Sequence, residues 1–138
     1  MVLSLDEAAG LVRKWQEEEA HILGVSESPF QQSRRGTVEQ HIDWRLGLQG
    51  KVALNQNRSG EKAWTMVLES PTGTLSLSIG QCVFVYEEPA RAKPIVREEA
   101  QATTICALSV FFPSDEVFVF YELREPLSGR SIPGWSTI

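Results

Sequence analysis

The spacing of apolar residues changes once along this chain. Ala8, Leu11, Val12, Trp15 and Ile22 recur at helical spacing, so residues 5–23 are predicted to form an amphipathic helix. Ser4-Leu5-Asp6-Glu7 has the spacing of a capping box at its start, with Ser4 as N-cap and Glu7 reaching back. Gly24 is expected to end the helix, with His21 in its last turn. The polar stretch 25–36, with Pro29 and Gly36, reads as a linker.

From Val38 the period becomes two. Gln40, Ile42, Trp44, Leu46 and Leu48 alternate with polar residues, which predicts a half-buried strand. Gly50 allows a bend, and 51–54 continue the strand into a loop at 55–60. Trp64, Met66 and Leu68 predict the next strand. Ser70-Pro71-Thr72-Gly73 reads as a hairpin turn, and Leu75, Leu77 and Ile79 as the returning strand. Beyond Gly80 the large side chains move to even positions (Cys82, Phe84, Tyr86), which suggests a β-bulge at that glycine. The charged stretch 87–101 has room for a helical turn or two at 95–101. Residues 103–112 and 116–123 are predicted strands joined by Pro113-Ser114-Asp115.

The expected fold is therefore α+β: an N-terminal amphipathic helix packed on a curled antiparallel sheet, or a small open barrel, of five to six strands. The chain reads as a single domain, 1–138, with the helix within 1–24, the sheet within 37–123 and an irregular tail at 124–138. The later strands are apolar on both faces, whereas a sheet with one solvated face alternates. One helix cannot cover them all. The excess apolar face needs a second layer, from the sheet's own curl, a partner subunit or a ligand cavity, and a homodimer through that face is the leading expectation.

Hydrophobic residues make up 42% of the chain and charged residues 22%, the balance of an ordinary globular protein rather than a disordered one. No apolar run is long enough for a membrane helix, so no membrane association is expected. The formal net charge of −5 provides no basic footprint for nucleic acid. The charge is uneven. Asp6, Glu7, Glu17, Glu18 and Glu19 outweigh Arg13 and Lys14 on the helix, while Arg34, Arg35, Arg45, Lys51 and Arg58 make the entry to the sheet mildly basic. The first residues lack the pattern of a signal peptide, and Cys82 and Cys106 match no paired-cysteine motif. A cytoplasmic location with reduced thiols is the expectation.

Candidate chemistry is sparse. Glu39, His41, Asp43 and Arg45 share one face of a predicted strand, where Asp43 is placed to orient His41 as a general base. No nucleophile elbow accompanies them. His21 and His41 are the only histidines, and no metal-ligand motif or phosphate-binding glycine loop occurs, so neither a metal nor another cofactor is expected. Arg34 and Arg35 are candidates, with Arg45 and Trp135, for holding a small anionic ligand. Arg34-Arg35-Gly36 resembles the arginine-led entry of PilZ-type domains. The second PilZ element is missing, because Asn57-Arg58-Ser59 runs directly into Gly60. The order of one helix followed by a curled sheet is similar to NTF2-like cones. That similarity would imply a cofactor-free enzyme using His41 and Asp43 as an acid–base pair. The reading the residues favour is a small non-enzymatic binding or interaction protein, of accessory, regulatory or immunity type.

Overall fold

A computed structural model describes residues 1–27, 47–56, 64–88 and 103–127. The elements are β1 (Val2–Leu3), α1 (Leu5–Glu17), β2 (His21–Glu27), β3 (Gly47–Gln56), β4 (Trp64–Ser70), β5 (Gly73–Ser78), β6 (Val83–Glu87), β7 (Thr104–Phe111) and β8 (Val117–Leu123). The strands form one antiparallel sheet in the order β1-β6-β7-β8-β2-β3-β4-β5, with α1 packed on one face. The α+β class is as expected. Among the described residues the sheet has eight strands rather than five or six, and it is neither closed nor strongly curled.

Helix α1 begins where its capping box places it. The Ser4 hydroxyl accepts from the Glu7 amide at 3.1 Å, and the Glu7 carboxylate accepts from the Ser4 amide at 2.8 Å. Its end differs from expectation. The helix stops at Glu17, and Glu19 takes a left-handed conformation with φ 51°. Amides of Glu19 and Ala20 fold back onto the carbonyls of Gln16 and Trp15, the pattern of a Schellman motif. Glycine normally fills that position, so a sequence search for the stop falls on Gly24 instead.

Gly24 lies inside β2, as do His21, Ile22 and the residues expected to open the linker, 25–27. Ile22 fits the helical stripe by spacing, yet it belongs to a central strand hydrogen-bonded to both β8 and β3. A Cβ at Gly24 would lie 2.7 Å from Leu68 Cδ2 and 3.1 Å from the Phe120 ring, so the missing side chain is what lets those two residues close over the strand.

Strand β3 pairs with β2 through Gly50 and with β4 from Lys51 onward. At that hand-over the Glu69 carbonyl oxygen would stand 1.8 Å from a Cβ on Gly50, a space only glycine leaves open. Asn55 and Gln56, expected in a loop, extend β3. The β4–β5 hairpin turns at Pro71-Thr72 as expected, with the Ser70 hydroxyl accepting from the amides of Thr72 and Gly73. No bulge forms at Gly80. The chain leaves β5 at Ser78, turns, and starts a new strand, β6, that pairs with β1 and β7. The change of alternation at Gly80 marks a change of strand. The β7–β8 hairpin turns through 113–115, with Asp115 at φ 74°. The linker residues 28–36, the predicted strand start at Val38 and the helical turn at 95–101 lie outside the described residues, as does the tail beyond 127.

Both faces of the sheet carry a core. Under α1, Ala8, Val12 and Trp15 pack with Ile22, Met66, Leu68, Phe84, Cys106, Leu108 and Phe120. On the opposite face Leu23, Val25, Ala107, Val119, Tyr121 and Leu123 pack with Leu127. Gln49 fixes Leu127 there: its side-chain amide donates to the Leu127 carbonyl at 3.0 Å and accepts from the Leu127 amide at 2.5 Å. Among the described residues no helix is long and apolar enough to cross a membrane.

Candidate functional site

Among the described residues, a group of chemically versatile side chains lies between α1 and strands β6–β8. Register creates it. Cys106 on β7 stands opposite Glu122 on β8, and both side chains fall on the helix-covered face with Leu108 and Phe120. Trp15, on the buried stripe of α1, lies above them. Its indole N–H donates to Glu122 Oε1 at 3.0 Å, and the Cys106 thiol donates to the same oxygen at 3.3 Å. On β6, Tyr86 donates its hydroxyl to Glu88 Oε2 at 2.8 Å and also interacts with the Cys106 thiol. A chain of polar contacts therefore runs from Trp15 through Glu122 and Cys106 to Tyr86 and Glu88.

The environment favours the protonated forms of the thiol and the phenol. Burial, then the carboxylate of Glu122, pushes the Cys106 thiol up to about 12, although the Tyr86 hydroxyl works in the other direction. Burial likewise raises Tyr86, with a further contribution from Glu88. Cys82 is raised to about 11 by burial alone. A thiol that keeps its proton at neutral pH is a poor nucleophile and a poor metal ligand. Cys106 thus serves as a hydrogen-bond donor within the core. Among the described residues no group of His, Cys, Asp and Glu is arranged to hold a metal ion.

Two further contacts flank the helix. The Arg13 guanidinium lies 4.7 Å from the centroid of the Trp64 ring, a cation–π arrangement, while the buried Trp64 indole N–H has no acceptor among the described residues. At the far end of the helix, Lys51 donates to the Glu19 carbonyl and stands 3.5 Å from His21 Nδ1. The Gln16 side chain accepts from the Leu54 amide at 3.0 Å, which ties α1 to β3.

Two surface regions of the described sheet are chemically plain. On the face away from α1, Val2 pairs with Val85 and Val83 with Phe111, so these four residues form an apolar corner. Val2, Val83 and Phe111 are 69%, 55% and 37% exposed. In the middle of that face Leu23, Val25, Val119 and Tyr121 are buried. At the other end of the strand order, β5 is an edge strand among the described residues, with Thr74, Ser76 and Ser78 exposed. No charged residue occurs between Glu69 and Glu87.

His41 and Asp43, the expected acid–base pair, lie outside the described residues, and so do the ligand-binding candidates Arg34, Arg35, Arg45 and Trp135. The Trp15–Glu122–Cys106–Tyr86 chain was not foreseen from sequence. Its one visible sign is Glu122, a lone carboxylate between Tyr121 and Leu123 in an otherwise apolar strand. Comparison with protein-family models, with curated proteins and with solved structures gives no match to this chain.

Proposed function

We propose that this chain is a non-enzymatic interaction protein that works by associating with itself. The observation that supports the reading is the separation of chemistry from accessibility. Among the described residues, the groups that look reactive (Cys106, Tyr86, Glu122) are engaged with one another and with Trp15 and Glu88. What the surface offers instead is a neutral stretch, 70–86, that supplies both an edge strand and much of an apolar corner. In a chain of net charge −5, exposed positions drawn from an uncharged segment favour contact between like molecules, because they bring no like charges together. Light scattering over a dilution series from submillimolar to submicromolar protein tests this. The reading predicts a mass of twice 15.4 kDa at the upper end, falling on dilution. A constant monomer mass overturns it.

A further inference from the structure

Building on that self-association, we infer that the second copy adds to the sheet edge at β5, strand against strand. The two edges of this sheet differ in kind. Strand β1 has two residues, and the chain next to it is already used: the Ser4 amide donates to Glu7 and the Ser4 carbonyl accepts from Ala8. That edge is short and blunted. Strand β5 has six residues, Gly73–Ser78, with no proline and no charge among them, and it ends the strand order. An edge strand points the N–H and C=O groups of alternate residues away from the sheet, and proteins usually protect such an edge with Lys, Pro, a bulge or a cover. None of the first three is present in β5, and its Thr74, Ser76 and Ser78 are exposed.

The pattern of β5 is also its own complement. Antiparallel pairing about Ser76 sets Leu75 against Leu77 of the partner subunit, and Thr74 against Ser78 of the partner subunit. Leu75 and Leu77 belong to the core on the α1 side, so pairing would continue that core across the two-fold axis. The hydroxyl residues would line up on the other face, where Thr and Ser cross-strand pairs are favourable. A two-fold contact of this kind uses the same patch on both copies and closes at the dimer. The apolar corner at Val2, Val83 and Phe111 is the weaker candidate. It is a few residues wide, and a stable interface needs roughly 800 Å² from each partner.

Sedimentation equilibrium on the full chain separates these ideas. Ser76→Pro removes a backbone donor at the centre of the edge, and the double variant Thr74→Lys, Ser78→Lys sets like charges beside the axis. The second variant guards against misfolding in the first, and far-UV circular dichroism checks both. The expected result is a dimeric wild type, a dissociation constant raised at least tenfold in either β5 variant, and no change in Val83→Lys. A wild-type dimer that persists in a folded β5 variant overturns the edge assignment and leaves the self-association reading standing. A wild type that is monomeric throughout overturns both.

Discussion

The region beneath α1 and the edge at β5 use their residues in opposite ways. Beneath the helix are a thiol, a phenol, an indole N–H and a carboxylate, the side chains from which active sites are built. They face one another at hydrogen-bond distance, and the thiol is held protonated. Strand β5 carries only Gly, Thr, Leu and Ser, yet its edge is unpaired among the described residues. Versatile side chains do not make a site when they already satisfy one another. A plain strand becomes a surface of interest when its backbone groups have no partner.

The comparison can be broken most forcefully at its buried side. Trp15 is fully buried and donates to Glu122. Trp15→Ala is expected to cost about 3–5 kcal/mol, from the lost ring and the cavity it leaves. Trp15→Phe keeps most of the ring but strips Glu122 of a donor, and should cost about 1–3 kcal/mol. Urea denaturation measures both. Gly50→Ala tests the backbone frame that joins the two regions. It forces a methyl group onto the Glu69 carbonyl, and a loss of about 3 kcal/mol is expected by the same measurement.

A pH titration sharpens the claim that the thiol is structural. Cys106 titrates near 9 when unperturbed and near 12 in the folded protein, so the folded state holds its proton more tightly. The stability this provides is complete below about pH 9 and is lost as pH rises from there toward 12. Cys82 and Tyr86 are shifted in the same direction and add to the alkaline loss. Thermal unfolding between pH 8 and 11 should show a falling midpoint, and Cys106→Ala should make the fall shallower. An unchanged slope would refute the assignment.

Smaller effects lie at the turns. Glu19 and Asp115 are non-glycine residues with positive φ. Glu19→Gly or Asp115→Gly should raise stability by about 1 kcal/mol each in the same urea denaturation measurement. Smallest of all, the β5 variants Ser76→Pro and Thr74→Lys, Ser78→Lys should leave the unfolding free energy of the monomer within roughly 0.5 kcal/mol. Their effect belongs to association alone.

Local signals were the legible ones. The capping box fixed the start of α1. The hairpins at Pro71-Thr72 and 113–115 followed from turn residues set between alternating apolar runs. What stayed hidden depended on contacts distant in sequence. Ile22 satisfies helical spacing and strand alternation equally, and only its pairing with β8 and β3 decides between them. The phase change at Gly80 is compatible with a bulge or with a new strand, and pairing with β1 and β7 decides that too. Strand β1 is too short to show any period. The polar chain under α1 requires Cys106 to stand opposite Glu122, a register that neither strand announces by itself.

Hydrogen exchange, followed amide by amide at two protein concentrations, tests the central contrast most directly. The account predicts that outward amides of β5 exchange more slowly at high concentration, while those of β7, already paired on both sides, do not change. Concentration-independent exchange along β5 in a protein that self-associates would contradict it.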